Sequence, residues 1–382
     1  MSLDPVRLGV VGCEVARASY HEAIMNLPEA RVTALTDDDP RYARVWARQL
    51  GTRPAICADI SDLLTKPVDA ILVTTSLHKR PLAIAQILQA GIPVLSEAPF
   101  STTLEDTDEL LAHSKKAGVI LMPAIIHRFD PAFLKLIQLI NEGVLGTLQQ
   151  TRCTRSIPLD SDLMEGDILS GGWNGLLMSA AYQSVDVCSW WNGNPCSISA
   201  DLSLETLAGV SIGGRRRNKA DTPEILLITH LNSRSTHQIN RTHAVRPEER
   251  YFVIGSKGNA ELIVSAGASA ATSAILPRLT VQALGKPPQS VMVELEEPEA
   301  DYSSNLRRSR RMLHHYIKCV QRMETPYDNG HSVRTALETV HASYLSAEEK
   351  HKVSLPLRRN PDISAILRGH SSGLLALPST EK

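Results

Sequence analysis

The 382-residue chain is short of several things, and each shortage excludes a class of protein. Aromatic residues make up only 4%, too few and too scattered for the stacking platforms of a single-strand nucleic-acid binder. The six cysteines (Cys13, Cys57, Cys153, Cys188, Cys196 and Cys319) form no C-x-x-C pair. That argues against a zinc site or a disulfide framework and suits reduced thiols in a cytoplasm. Formal net charge is -1, so no bulk bias draws nucleic acid or an anionic membrane. No apolar run reaches the ~20 residues that a membrane helix needs. The start, "MSLDPVRLGVV", lacks the basic-then-apolar pattern of a signal peptide. What remains is a chain with 43% hydrophobic and 21% charged residues, a globular composition long enough for two domains.

Over the first third, short apolar runs alternate with amphipathic stretches. Candidate strands lie at 7–11, 31–36, 69–75, 92–97 and 118–124, and candidate helices at 15–27, 40–50, 80–90 and 102–117. The strands are apolar nearly throughout, as strands covered on both faces must be. Such alternation predicts a parallel, doubly wound sheet with right-handed crossovers. After about residue 125 the pattern changes. Segments 130–146 and 174–192 read as helices, and strands dominate from about 196 to 296, with clearer alternation. A large, mainly antiparallel sheet is expected there, with one face on helices. Two helices, near 303–324 and 331–350, are expected to close this second domain. The expected division is a dinucleotide-binding domain over 1–124, an α+β domain over 125–357 and a loose tail over 358–382.

The stretch "RLGVVGCEVARASYH" (7–21) runs a strand into Gly12 and then a helix. A dinucleotide loop uses a first glycine for the tight turn and a second to let the backbone approach the pyrophosphate. Gly12 fills the first role, but Glu14 stands at the second and brings a carboxylate toward an anion. Cys13, Glu14 and Val15 would supply amides at the helix N-terminus. A lone glycine also suits a plain strand-to-helix turn, so this loop alone does not choose. Asp37, 25 residues after Gly12 at the end of the second strand, is a stronger signal. An acid there accepts from an adenosine ribose and repels a 2′-phosphate, so NAD is favoured over NADP. The same run also caps the next helix before Pro40.

The third signal is "AGIPVLSEAPFS" (90–101), which places Glu97 at the carboxyl end of a strand, where ligands of open α/β sheets sit. With "HRFDPAFLKLIQLINEGVLGTL" (127–148), "SGGWNG" (170–175) and "IGSKGNAEL" (254–262), the chain resembles the glucose–fructose oxidoreductase, inositol dehydrogenase and MocA family over roughly residues 6–357. The resemblance implies an N-terminal Rossmann domain and a C-terminal domain on an open sheet. It also implies hydride transfer between NAD(P) and a sugar, polyol or related small molecule, and assembly into a homodimer or homotetramer through the outer face of that sheet.

The resemblance also marks departures. Members carry Glu-Lys-Pro where this chain has Glu97-Ala98-Pro99, and an acid/base His where it has Gln183, with Ser179 four residues earlier at an Asp position. The nicotinamide-side pair is Thr75-Ser76, with Arg80 at a further His position. A glutamine amide does not titrate near neutral pH, and one acid/base group contributes about 10²–10⁴-fold. The standard mechanism is therefore not expected. Residues that could act in its place are Glu97, His127, Ser179, Tyr182 and Gln183, with Arg128, Trp173 and Asn174 toward a substrate. For Tyr182 a packed aromatic is the stronger reading, and His127 and Arg128 equally suit backbone bonding at a linker. Three functions stay open: an NAD-dependent oxidoreductase, a repurposed non-redox enzyme (elimination, isomerisation or cyclisation), and a non-catalytic sensor or subunit. The basic runs at 214–219 and 307–311 read as solvated surface, and His314-His315 diverge on a helix and make no metal pair.

Overall fold

A computed structural model describes residues 4–158, 177–203, 222–242, 248–265, 277–293, 304–363 and 366. The chain divides into two compact units, the first from Met1–Leu136, Gly267–Leu276 and Met292–Arg334, the second from Ile137–Ala266, Pro277–Val291 and Thr335–Lys382.

The first unit is built on six strands: β1 (Val6–Val11), β2 (Ala30–Thr36), β3 (Ala55–Ile56), β4 (Ala70–Val73), β5 (Val94–Glu97) and β6 (Leu121–Ala124). They pair in the order β3-β2-β1-β4-β5-β6, all parallel. Strand order reverses beside β1, which creates the switch point where ligands of such sheets bind. Between the strands run α1 (Cys13–Met25), α2 (Pro40–Leu50), α3 (Ile60–Leu64), α4 (Arg80–Gln89) and α5 (Leu104–Ala117). Their ends follow local chemistry. Asp39 caps α2 through the Arg41 amide at 2.9 Å, ahead of Pro40. Thr103 caps α5, whose first turn holds Glu105 and Asp106, whose last holds Lys115 and Lys116, and which stops at left-handed Gly118. In the core, Val10, Trp46, Leu72 and Leu95 are fully buried. Each such aliphatic side chain contributes about 1.5–3 kcal/mol.

The helix α6 (Pro131–Asn141) follows a 3₁₀ turn at Ile126–Phe129. The helix here termed α8 (Ser304–Val320) was expected in the second domain, yet it belongs to the first unit. Its Met312, Leu313, Tyr316 and Ile317 join the core that also holds Ala16, Tyr20, Ala23 and Ile24 of α1. The run at 307–311, read as solvated surface, is likewise corrected. Arg307 and Arg308 are buried, and Arg308 meets buried Asp130 at 2.5 Å. Clustered arginines in a sequence look solvated, but a carboxylate from a distant segment lets one face turn inward.

The second unit carries a nine-stranded sheet. Its strands are β7 (Leu148–Pro158), β8 (Pro195–Ser203), β9 (Thr222–His230), β10 (Arg234–Thr242), β11 (Glu248–Gly255), β12 (Gly258–Ser265), β13 (Arg278–Ala283), β14 (Gln289–Val291) and β15 (Val353–Ser354). Their order is β14-β13-β12-β11-β7-β10-β9-β8-β15. The pairing is antiparallel except between β7 and β10, which run parallel. The sequence pattern does not show β7, although it is the central strand. Its inward positions are Thr151, Cys153 and half-buried Arg155 rather than an aliphatic run. The helices of this unit include α7 (Tyr182–Asn192), entered through a π-helical turn at Leu177–Ala181, and the greater part of α9 (His331–Glu349). No helix among the described residues is long and apolar enough to cross a membrane.

Candidate functional site

The dinucleotide crevice of the first unit is framed by the carboxyl ends of β1, β2 and β4. Gly12 has φ +96°, and a Cβ there would lie 2.7 Å from the Thr74 carbonyl carbon and the Thr75 nitrogen. The turn after β1 thus requires glycine. The Thr74 hydroxyl donates to the Gly12 carbonyl and ties that turn to the end of β4.

Asp37 stands at the end of β2, as a ribose acceptor should. Its Oδ2 accepts from the Cys13 amide at 2.6 Å and the Glu14 amide at 3.2 Å, and its Oδ1 accepts from Asp39 N at 2.9 Å. The first amides of α1, which in such folds meet an anionic phosphate, are thus held by the protein's own carboxylate. Glu14 and Val15 are exposed on the same turn, and Glu14 bonds to Tyr42, raising the phenol's pKa. Lys79 and Asp38, exposed and 2.8 Å apart, join the loops on either side of the β1–α1 turn. The frame and Asp37 fit the adenosine half of a dinucleotide. On the pyrophosphate side, Asp37 and Glu14 place negative charge where an anion would lie.

Further along the sheet edge, the Tyr20 hydroxyl of α1 donates to Glu97 Oε1 at the end of β5. Burial and the Glu97 carboxylate both raise the Tyr20 pKa. Arg80 Nη1 donates to Pro99 O at 2.7 Å and Nη2 to Thr75 O at 2.9 Å. Arg80 therefore braces the loops after β4 and β5 through their backbone. Thr75 and Ser76 lie in the loop so braced. His127 is buried in the 3₁₀ turn, edge-on to Phe133 with ring centroids 5.2 Å apart. Arg128 lies 3.7 Å from Asp328 and over the Tyr327 ring.

In the second unit, Gln183 lies half-buried in the first turn of α7, where its Oε1 accepts from Arg155 Nη1 of β7 at 3.0 Å. Arg155 also pairs with buried Glu249 of β11 at 3.3 Å, and Glu249 Oε2 accepts from the Tyr251 hydroxyl at 3.0 Å. Ser179 lies in the π-helical turn just before α7, an irregularity frequent at functional sites. Tyr182 is buried, which agrees with a packed aromatic. Trp173 and Asn174, and the basic run at 214–219, fall outside the described residues.

From Ser184, the residue after Gln183, runs a buried polar chain that the sequence pattern does not reveal. His230 Nδ1 lies 2.7 Å from the Gly193 carbonyl, His230 Nε2 2.9 Å from Ser235 Oγ, Ser235 Oγ 3.1 Å from His237 Nε2, and His237 Nδ1 3.0 Å from Ser184 Oγ. A carbonyl only accepts, so His230 Nδ1 carries the proton and Nε2 accepts from Ser235. Ser235 then accepts from His237 Nε2, while the Ser184 hydroxyl, 3.0 Å from His237 Nδ1, donates to Ala181 O at 3.0 Å. Burial pushes His237 down to about 3 and lowers His230 as well. Two histidines spaced seven apart on neighbouring strands were the available signal; their meeting depends on the β9–β10 register.

The described residues hold no cluster of three His, Cys, Asp or Glu fit for a metal ion. Burial pushes the Cys153 thiol up to about 12 and Cys319 to about 11, so neither is a ready nucleophile.

The comparisons agree with this architecture. The family described as "Oxidoreductase family, NAD-binding Rossmann fold" matches residues 6–125. Myo-inositol 2-dehydrogenase of Thermotoga maritima is 26% identical over 352 residues, covering 92% of this chain and 98% of the relative. D-apiose dehydrogenase of Paraburkholderia graminis is 22% identical, covering 91% and 88%. Among solved structures, the WlbA dehydrogenase of Bordetella pertussis in complex with NADH and UDP-GlcNAcA superposes with a TM-score of 0.72 at 20% identity, covering 94% of this chain and 99% of that one. An oxidoreductase from Agrobacterium radiobacter in complex with NAD+, L-tartaric acid and magnesium gives 0.73 at 15% identity, covering 91% and 98%. A parallel six-stranded nucleotide fold joined to a large open sheet, with relatives matched along nearly their full lengths, leads to one assignment: residues 6–125 carry the NAD-binding Rossmann domain of the glucose–fructose oxidoreductase, inositol dehydrogenase and MocA family, and the chain as a whole is similar to an inositol dehydrogenase.

Proposed function

We propose that this protein is an NAD-type oxidoreductase homologue that takes a small polar molecule of the sugar, polyol or cyclic-metabolite kind, with the usual catalytic lysine and histidine replaced by Ala98 and Gln183. The observation that carries it is near full-length similarity to an inositol dehydrogenase, on a fold whose β1–α1 turn and Asp37 keep the adenosine side of a dinucleotide crevice. Asp37 favours NAD over NADP, because a 2′-phosphate would meet its carboxylate. A bound nicotinamide would accept or supply a hydride. The chain's own part is to bind and orient, since the amide of Gln183 does not exchange a proton. The outer sheet face, with Ile225 and Leu227 exposed, supports a homodimer or homotetramer built there. Light scattering on the purified chain reads that state.

Titration with NADH, followed by cofactor fluorescence, tests the redox reading. Saturation below millimolar supports it, and no binding up to millimolar overturns it. The second reading, a repurposed non-redox enzyme or a non-catalytic sensor, is favoured by the Asp37 carboxylate already on the α1 amides. Binding without turnover on a sugar and polyol panel would select it. Dehydrogenase activity gained by an Ala98→Lys, Gln183→His double variant would show that the family's substrates still enter.

A further inference from the structure

A guanidinium can only donate, so the atom of Gln183 that Arg155 meets at 3.0 Å is the amide oxygen. Turned over, the amide would set N–H against N–H. Arg155 is itself held, because Glu249 pairs with it at 3.3 Å and accepts from the Tyr251 hydroxyl at 3.0 Å. The Arg155 and Glu249 side chains are 11% and 3% exposed, so this latch is nearly dry and geometrically stiff. Its two charges cancel, leaving a neutral base beneath the glutamine. Gln183, half-buried, therefore presents its Nε2 group away from Arg155, with two N–H donors.

A histidine at this position could serve as donor or acceptor, according to its protonation. The latched glutamine serves only as donor. A ligand carbonyl oxygen opposite it is satisfied by accepting. A ligand hydroxyl can also accept, but its own hydrogen then needs an acceptor, and Oε1 is turned toward Arg155. The balanced Arg155–Glu249 pair supplies no net positive charge, which favours a neutral carbonyl over a carboxylate.

We infer that Gln183 is a specificity-determining residue that selects the keto form of a sugar or polyol over its hydroxyl form. This rests on the sugar-type reading given above. Calorimetric titration of the full chain with 2-keto-myo-inositol and with myo-inositol tests it. ADP-ribose is added to occupy the dinucleotide crevice without reacting. The wild-type chain is expected to bind the ketone at least tenfold more tightly. Gln183→Leu, which keeps the bulk and removes the donors, is expected to level the two affinities. Gln183→Glu, which pairs one oxygen with Arg155 and turns the other outward as an acceptor, is expected to reverse the preference. Circular dichroism confirms that each variant folds. Equal wild-type affinities, or a ketone preference that survives in both variants, overturn this inference and leave the sugar-type reading standing. Binding of neither molecule overturns both.

Discussion

The carboxylate of Asp37 holds the Cys13 amide at 2.6 Å, joining the end of β2 to the start of α1. The carboxylate thus occupies amides at a helix terminus, a place that draws anions. Glu14 adds a second carboxylate one residue on. An anion drawn to these amides would therefore meet two carboxylates.

The first prediction concerns that repulsion. Glu14→Gly removes a charge that repels the pyrophosphate and restores a second glycine to the loop. NADH affinity, read by fluorescence titration, is expected to rise about tenfold, equivalent to about 1.4 kcal/mol. Raising the salt concentration should narrow the gap between variant and wild type.

Gly12→Ala tests the turn itself. The new Cβ would lie 2.7 Å from the backbone of Thr74 and Thr75, at φ +96°. Backbone, unlike a side-chain tip, cannot step aside cheaply. A loss of roughly 1–3 kcal/mol is expected from the strained conformation alone, read as a lower urea midpoint.

The Arg155–Glu249 latch should behave as a buried pair. Arg155→Met leaves Glu249 buried without its cation and is expected to cost about 3–5 kcal/mol. The double variant Arg155→Met, Glu249→Gln should recover most of that loss, which paired denaturation curves would show. If the double variant is as unstable as the single one, the pair is not what holds the two strands to α7.

Acid should find the His230–His237 chain. The folded pKa of His237 is depressed to about 3 by burial, with His230 adding to the effect. Its neutral form is the one the fold holds. The stability that follows is fully present above an unfolded pKa of about 6.5 and is lost as pH falls from there toward 3, by an amount on the order of a few kcal/mol. Wild-type stability should therefore fall across this window. A His237→Asn variant, weaker at neutral pH because Ser184 and Ser235 lose their shared partner, should show a flatter profile.

Several features were legible because they depend on neighbours in sequence. The strand–glycine–helix start, the Asp cap before Pro40 and the apolar strands of the first unit all rest on local periodicity and capping chemistry. Strand β7 escaped notice for an equally physical reason. It runs beneath a helix with Thr151, Cys153 and Arg155 on its inward side, so it lacks the aliphatic signature of a buried strand. Arg308 looked solvated because its partner, Asp130, is 178 residues away.

The sequence by itself determined the parallel sheet and the resemblance that singles out Ala98 and Gln183, since these are read residue by residue along a known order of motifs. Only the tertiary structure decided which group meets Gln183. Which way the Gln183 amide faces depends on an arginine brought up by β7 and a glutamate brought up by β11. Whether Asp37 is free depends on how close the end of β2 comes to the first turn of α1. Both are matters of strand register and hydrogen-bond geometry, and neither has a trace in local sequence pattern.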